Sequence, residues 1–188
     1  MFCGNLDFMK NLKYKKIKNF LSADELNLLT TYCKMRHRTN FKNFEETGPN
    51  ANCDSSFYAD CLMESTMINK LRFMEKETGL ELLPTYSYWR CYTKFSDLPA
   101  HKDRPSCEYS VTVMIDSDKT DWPIIIDGKS FLLKKGDALI YKGCEFTHKR
   151  DKFMGDYHMQ AFLHYVDKKG PNKEWFIDKR QMFGLGKR

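Results

Sequence analysis

The sequence predicts a mainly β fold with flanking helices: a double-stranded β-helix (jelly roll) with N-terminal helices packed on one sheet. Two segments with helical spacing of apolar residues come first, and many short apolar or alternating segments separated by turn residues follow. No internal repeat or low-complexity linker interrupts the 188 residues, a length typical of one domain. We therefore expect a single domain over 1–188, with a helical part at about 1–80, a jelly-roll part at about 81–167 and a C-terminal extension at 168–188.

The N-terminal part begins with an extended segment at 14–20, followed by a strong signal for the start of a helix. Ser22 is a good N-cap residue, and Glu25 stands three positions later, where its carboxylate can complete a capping box. Apolar residues then recur at helical spacing, which predicts a helix over about 23–36.

A second helix is predicted over about 63–77, where methionine and leucine residues share one face. It is followed by Gly79, a residue type that commonly ends helices because it adopts the left-handed conformation. Between the two helices, the polar segment 39–60 predicts a loop with one strand near 40–45.

The segments after Gly79 have the composition of strands and turns. Asp127-Gly128 between two apolar segments is typical of a hairpin, and Lys135-Gly136-Asp137 predicts a turn before another strand. The predicted strands cover 82–94, 109–116, 122–127, 130–133, 138–141 and 157–166.

Composition and charge limit the classes of function. The net charge is +6, but lysine is spread along the chain, so binding to nucleic acid or to a membrane surface is only weakly indicated. No segment has the apolar length of a signal peptide or a membrane span. The seven cysteines form no CxxC pair, which argues against a zinc ribbon or a disulfide framework. We expect reduced thiols and a cytoplasmic protein.

Three side chains suggest a metal site. His101 and Asp103 stand two positions apart on a segment predicted to be extended, and side chains at that spacing point to the same face. His148, on a later predicted strand, supplies a second imidazole. Two histidines and one carboxylate form the facial triad that leaves coordination positions open and suits non-heme Fe(II).

The segment from about Tyr86 to Asp167 resembles the Fe(II)/2-oxoglutarate-dependent dioxygenases, and most closely their prolyl-4-hydroxylase-like branch. The resemblance implies a jelly roll that binds Fe(II), 2-oxoglutarate and O2, decarboxylates 2-oxoglutarate to succinate and hydroxylates a C–H bond. His101, Asp103 and His148 stand at the positions of the family's iron ligands. The full set of matching residues is Arg90-Cys91-Tyr92, His101, Asp103, Gly136-Asp137-Ala138-Leu139-Ile140, His148 and Phe162-Leu163-His164-Tyr165-Val166-Asp167.

The resemblance also implies residues that bind the cosubstrate. Tyr92 lies nine positions before His101, where this branch often has a tyrosine that binds the distal carboxylate of 2-oxoglutarate. The family's cationic anchor stands about ten residues after the distal histidine, but this position is His158, neither Lys nor Arg. Arg150 and His158 are equally ranked as anchors, and Gln160 is expected on the same strand face as His158.

The substrate is not indicated by the sequence. Arg104, directly after the proposed ligands, belongs either to a substrate-facing loop or to a simple turn. A peptidyl prolyl-type side chain and a small metabolite are both consistent with the resemblance, and oligomeric state is not predicted. The alternatives are a cupin-like metal-binding protein that does not use 2-oxoglutarate, and a non-catalytic jelly-roll binding module. A nucleic-acid demethylase is less favoured, because no second arginine follows Arg150 before Arg180.

Overall fold

The computed structural model of the protein describes residues 13–40 and 54–186. Within these ranges it contains three α-helices, two short 3₁₀ segments and ten β-strands. The helices are α1 (Ala23–Arg38), α2 (Cys61–Asn69) and α3 (Leu71–Thr78). The strands are β1 (Tyr14–Ile17), β2 (Ser55–Tyr58), β3 (Leu82–Thr93), β4 (Leu98–His101), β5 (Tyr109–Ser117), β6 (Ile124–Ile126), β7 (Lys129–Phe131), β8 (Ala138–Tyr141), β9 (His148–Arg150) and β10 (Tyr157–Asp167). The 3₁₀ segments are Pro105–Cys107 and Lys173–Lys179.

The described strands form two antiparallel sheets. The larger sheet has the order β1-β8-β5-β10-β3-β2, and the smaller has the order β4-β9-β6-β7. The helices pack against the larger sheet. This arrangement confirms the predicted jelly roll with N-terminal helices on one sheet, although the two sheets stay open and do not close into a barrel.

The main hydrophobic core lies between the helices and the larger sheet. Alternate residues of β10 enter it, because successive side chains of a strand point to opposite faces. The buried residues contributed by α2, α3 and β10 are Met63, Met67, Met74, Met159, Ala161, Leu163 and Tyr165. The intervening residues of β10, from His158 to His164, therefore face the smaller sheet, and this is the face on which a site can form.

The start of α1 is as predicted. The Ser22 hydroxyl accepts a hydrogen bond from the backbone N–H of Glu25 at 3.2 Å, and the Glu25 carboxylate accepts one from the backbone N–H of Ser22 at 2.8 Å. This capping box satisfies two of the N–H groups that have no partner within the helix.

The turns after the second helix and between β6 and β7 are also as predicted. Gly79 ends α3 with a φ of 71°, in the left-handed region. Asp127 and Gly128 join β6 to β7 with φ values of 50° and 75°, the positive values that a two-residue hairpin of this type needs.

Two predictions from the first half of the chain differ from the structure. The helix expected over 63–77 is two helices divided at Lys70, whose ammonium binds Glu25 of α1 at 2.7 Å. The apolar spacing continues across Lys70, so it carries no signal of the division. The segment expected to be a loop contains β2, which pairs with β3, while the strand expected near 40–45 lies almost wholly outside the described residues.

Two further properties concern the described ranges only. Cys33, Cys61, Cys91, Cys107 and Cys144 are free thiols. None of the helices in 13–40 and 54–186 combines the length and the apolar character needed to cross a membrane.

The capping box gives a prediction on stability. Replacing Ser22 by Ala removes the side-chain acceptor for the Glu25 N–H, so the free energy of unfolding should fall by about 1 kcal/mol. Urea unfolding of the wild type and the variant measures the difference. Ser65→Ala, which removes an exposed hydroxyl bonded to a carbonyl inside α2, is the control and should change stability by less than about 0.5 kcal/mol.

Candidate metal centre

The pairing of β4 with β9 brings two imidazoles together. His101 and His148 are direct partners in this antiparallel pair, and their ring centroids are 4.3 Å apart. His148 is buried, with 3% of its side chain exposed, whereas the side chain of His101 is 39% exposed. The pair therefore lies where the interior between the sheets opens to solvent.

Asp103 lies just beyond β4 rather than on it. Its backbone N–H donates to the carbonyl of Gly143 at 2.9 Å, which fixes the loop after the strand. Its Oδ1 atom is 3.5 Å from the Nε2 atom of His101 and 3.5 Å from that of His148. The three predicted ligands therefore converge on one point, with their ligand atoms all within 4.8 Å of one another.

Backbone carbonyls orient both imidazoles. The Nδ1 atom of His101 is 2.8 Å from the carbonyl oxygen of Pro99, and that of His148 is 3.1 Å from the carbonyl oxygen of Phe146. A carbonyl oxygen can only accept, so each Nδ1 carries the hydrogen, and in the neutral form of either ring Nε2 is the nitrogen left to bind a metal. Histidine ligands of metals usually have this second hydrogen bond, which fixes the tautomer and the ring orientation.

The three residues fit a divalent cation. Burial alone would raise the pKa of the Asp103 carboxyl, but the nearby His148 and His164 and the hydroxyl of Ser110 together lower it. The carboxylate is therefore ionised at neutral pH, as a ligand must be. Two imidazole nitrogens and one carboxylate oxygen on one side of an ion leave the other side open.

Gly143 makes room for the carboxylate. A Cβ atom at this position would collide with Oδ2 of Asp103 and would stand 2.7 Å from both the Cys107 carbonyl oxygen and the Ser110 hydroxyl. No ordinary side chain fits without moving the loop that carries Asp103. The absence of a side chain at 143 is thus a requirement of the site.

A cavity of about 260 Å³ extends from the three ligands between the two sheets. Its wall is rich in aromatic side chains, and Asp103 is the one acidic residue among the described residues that line it. The remaining lining residues are Tyr86, Tyr88, Arg90, Tyr92, Leu98, His101, Tyr141, His148, Phe162 and His164.

His164 lies at the inner end of this cavity. Its Nδ1 is 3.0 Å from the hydroxyl of Ser110, which also donates to Oδ2 of Asp103. Burial lowers the pKa of His164 to about 4, so the imidazole is neutral at physiological pH. His164, Cys107 and Asp103 also bring ligand atoms within 4.8 Å of one another, so the carboxylate has imidazoles on both sides.

Arg150 is a buried cation without an acidic partner. It lies two residues after His148 on β9, and 3% of the residue is exposed. One Nη donates to the Trp122 carbonyl, the guanidinium carbon lies 4.7 Å from the Trp122 ring centroid, and Nε has no hydrogen-bond partner in the described structure. Burial lowers the pKa of Arg150 to about 10, which still leaves it charged at neutral pH. Among the ion pairs of residues 13–40 and 54–186, none includes Arg150.

His158 and Gln160 belong to a neutral hydrogen-bonded chain. Nε2 of His158 is 2.8 Å from the side-chain oxygen of Gln160, whose amide nitrogen donates to the hydroxyl of Thr112 at 2.6 Å. Burial and the nearby Arg150 lower the pKa of His158 to about 3. A protonated His158 is therefore not present at neutral pH, and of the two cationic anchors considered from the sequence, only Arg150 carries a charge.

The other predicted residues are placed as follows. Tyr92 lines the cavity together with the metal ligands, whereas Arg150, His158 and Gln160 are buried behind its wall. Arg104 does not line the cavity, and its guanidinium binds Asp178 of the C-terminal extension. Arg90 also lines the cavity, and no role was expected for it from the sequence. Its position two residues before Tyr92 on β3 was the available signal, since both side chains then share a face.

Comparison with solved structures identifies the fold. A prolyl-4-hydroxylase from Pseudomonas putida matches with a TM-score of 0.63 and 16% identity, over 86% of this chain and 96% of that chain. The viral collagen prolyl hydroxylase of Paramecium Bursaria Chlorella virus-1, in its 2-oxoglutarate complex, matches with a TM-score of 0.61 and 12% identity, over 84% and 97%. EctD from S. alaskensis with 2-oxoglutarate and 5-hydroxyectoine matches with a TM-score of 0.65 and 15% identity, over 89% and 79%.

These matches show a shared fold. No protein family and no curated protein matches the chain by sequence. At identities of 16% or less, the similarity establishes that the chain has the jelly-roll fold of the 2-oxoglutarate- and Fe(II)-dependent oxygenases, prolyl-4-hydroxylases among them. The resemblance proposed from the sequence is thereby confirmed at the level of the fold.

The close approach at Gly143 gives a prediction on metal binding. Gly143→Ala should displace the Asp103 carboxylate and weaken the binding of Co(II), used as a probe under anaerobic conditions, by about 10- to 100-fold. Isothermal titration calorimetry of the purified protein measures the affinity. Gly186→Ala is the matched control, since a Cβ there meets nothing within 4 Å, and it should bind Co(II) as the wild type does. Equal affinities for all three proteins would contradict the proposed geometry.

The buried neutral His158 gives a prediction on pH dependence. Its pKa is about 3 in the folded state and 6.5 in a model peptide, so between pH 6 and pH 4 the unfolded state binds one more proton than the folded state. Stability should therefore fall as the pH falls, and His158→Gln should reduce this slope by about 1.4 kcal/mol per pH unit. Urea unfolding at pH 4, 5, 6 and 7 measures both slopes; identical slopes would show that His158 is not buried neutral.

Proposed function

We propose that the protein is an Fe(II)- and 2-oxoglutarate-dependent dioxygenase that hydroxylates a C–H bond while 2-oxoglutarate is decarboxylated to succinate. The observation that carries the proposal is the buried guanidinium of Arg150 on the same strand as the metal ligand His148. A buried cation without a counter-charge is unfavourable unless an anion joins it. A carboxylate of the cosubstrate supplies that anion.

The spacing on β9 supports this assignment. Two residues of a strand span about 7 Å and point to the same face, so the side chain of Arg150 leaves β9 on the same side as His148, and it lies behind the cavity wall to which Tyr92 belongs. A five-carbon diacid whose 2-oxo acid end met the metal would extend its distal carboxylate towards Tyr92 and the charge of Arg150 behind it. The neutral His158 and Gln160 complete the polar surroundings of that end.

The chain's own residues have three tasks in this proposal. His101, Asp103 and His148 would hold the metal, which together with the cosubstrate would supply the oxidising chemistry. Tyr92 and Arg150 orient the cosubstrate, and the rings of Trp122 and Phe153, 5.0 Å apart, keep water from the buried guanidinium. The cavity extends from these three residues, so cosubstrate and O2 would approach a metal held there through it.

The proposed substrate is a peptidyl side chain, of the prolyl type, or a small metabolite. The cavity opens beside Tyr88, Leu98 and Phe162, which are partly exposed. An aromatic and aliphatic opening of this size fits a single compact group rather than an extended surface. Neither a nucleic acid nor a membrane is required as a partner.

The cationic residue distinguishes this function from its main rival. A cupin-like metal protein that does not use 2-oxoglutarate needs the triad but has no use for a buried, unpaired arginine behind the cavity wall. A non-catalytic binding module needs neither. Arg150 therefore favours the dioxygenase.

The direct test is cosubstrate turnover. Purified protein with Fe(II), 2-oxoglutarate and O2 should release succinate, measured by mass spectrometry, and anaerobic addition of Fe(II) and 2-oxoglutarate should give a visible charge-transfer absorbance. Asp103→Ala should abolish both, because the metal loses its one carboxylate ligand. Metal binding without any succinate, with or without a panel of prolyl peptides and amino acids, would favour the cupin-like alternative.

The anchor assignment has its own prediction. Arg150→Gln should raise the KM for 2-oxoglutarate in uncoupled turnover by about 10- to 100-fold, because one charged hydrogen bond to a carboxylate is lost, while Co(II) affinity stays within about threefold. Arg90→Gln is the comparison variant, since it removes the other arginine next to Tyr92, and it should raise this KM less than Arg150→Gln does. A larger effect at Arg90 than at Arg150 would reverse the assignment.

A further inference from the structure

Asp178 of the C-terminal extension is a buried acid with three strong donors. The residue is fully buried, and its two carboxylate oxygens accept from the two terminal nitrogens of Arg104 at 2.9 and 2.8 Å. The hydroxyl of Tyr58 on β2 also donates to it. A bidentate arginine–carboxylate pair is geometrically specific and stronger than a single ionic contact, so Asp178 fixes the orientation of the Arg104 side chain.

The backbone around Asp178 is strained. Ile177, Asp178 and Lys179 have φ values of 53°, 54° and 59°, a left-handed conformation that is unfavourable for residues with a Cβ atom and that is rare in succession. Such strain persists only where the surrounding contacts determine the conformation, and it often occurs at functional sites. The conformation of this segment is therefore imposed by its contacts and not by its own preference.

A second anchor lies just beyond the strained residues. Arg180 binds Glu64 of α2, and both side chains are only 2% exposed. The backbone N–H of Gly184 also donates to this carboxylate. Because the anchor at Glu64 lies on the helical side of the larger sheet, it can hold the extension in place without the Asp178 contact.

The contacts of Arg104 lead directly to the metal centre. Arg104 follows the ligand Asp103, and its guanidinium carbon lies 4.4 Å from the ring centroid of Tyr86. That ring forms the inner wall of the cavity, 4.5 Å from the ring centroid of His164, and its hydroxyl is 3.1 Å from the sulfur of Cys107. Arg104 is thus bonded through the backbone to Asp103, the proposed carboxylate ligand, and its side chain contacts Tyr86 of the cavity wall.

We infer that Asp178 is a positioning residue of the metal centre: through Arg104 it sets the loop that carries Asp103 and the Tyr86 wall of the cavity. The inference rests on the proposed function only in taking the triad as a metal site. It also explains why Arg104, which the sequence suggested as a substrate residue, does not line the cavity. The C-terminal extension is then a part of the active site rather than an appendage.

The test compares two variants of the full chain that each remove one carboxylate from the extension. Asp178→Asn should weaken anaerobic Co(II) binding by about tenfold and alter the visible spectrum of the bound Co(II), because the carboxylate ligand is no longer held in one orientation. Glu174→Gln, an exposed residue of the same segment, is the matched control and should bind Co(II) as the wild type does. Co(II) affinity and spectrum unchanged in Asp178→Asn would overturn the inference.

A double-mutant cycle shows whether Asp178 acts through Arg104. Arg104→Gln removes the same contact from its more exposed side, so it keeps the test available if Asp178→Asn does not fold. The variant with both changes should bind Co(II) no more weakly than the worse single variant, since both remove one interaction. Effects that multiply in the double variant would show that Asp178 acts on general stability, and would overturn the inference.

Amide hydrogen exchange adds a readout that needs neither metal nor turnover. In the metal-free protein, Asp178→Asn should speed exchange at residues 103–108 by at least about fivefold relative to β10, and an unchanged pattern would contradict the inference. The proposed dioxygenase activity and the positioning role of Asp178 can be refuted independently of each other. Wild-type protein that binds Co(II) but forms no succinate refutes the dioxygenase, while the Co(II) affinities of the variants still decide the role of Asp178.

Discussion

The register of one short strand pair determines where the candidate site lies. Because His101 is paired with His148 across β4 and β9, the two imidazoles face each other, and each ring is oriented by a backbone carbonyl two residues before it in the sequence. A shift of this register by one residue would turn one ring to the opposite face of the sheet. The position of the carboxylate, the glycine that makes room for it and the direction of the cavity all follow from that pairing.

The electrostatics of the interior follow from the same geometry. The face of β10 that looks towards the smaller sheet carries two histidines that burial keeps neutral, and strand β9 of the smaller sheet carries an arginine that remains charged. Of the described residues that line the cavity, Asp103 supplies the one carboxylate and Arg90 a guanidinium, while Arg150 lies behind the wall.

The sequence was most informative where the signal is local. The capping box at Ser22, the left-handed Gly79 and the Asp127-Gly128 hairpin depend on a few neighbouring residues, and all were found where predicted. The two histidines converge because β4 pairs with β9. Asp103 was identified by the ligand pattern, although it lies in the loop after β4 and not on the extended strand that was expected to carry it. In contrast, the division of the second helix at Lys70 depends on the contacts of that residue with another helix.

Other features depend on contacts between residues far apart in the chain. Gly143 lies against Asp103, Arg104 binds Asp178, and β2 pairs with β3 although two helices separate these strands in the sequence. No local sequence pattern predicts any of these contacts. The protonation state of His158 was also inaccessible, because it depends on burial beside Arg150 and not on the residue type. The sequence therefore identified the ligands of the candidate site, while the structure was needed to find what orients and surrounds them.

The buried pair of Glu64 and Arg180 has a consequence for the order in which the molecule matures on the ribosome. Glu64 belongs to the first half of the chain, yet its partner is translated after the last strand of both sheets. Until Arg180 is available, the Glu64 carboxylate would be buried without its counter-ion. Because that state is unfavourable, packing of the core around α2 is opposed until then. Nascent chains should therefore reach their final compact form only once the extension has left the exit tunnel.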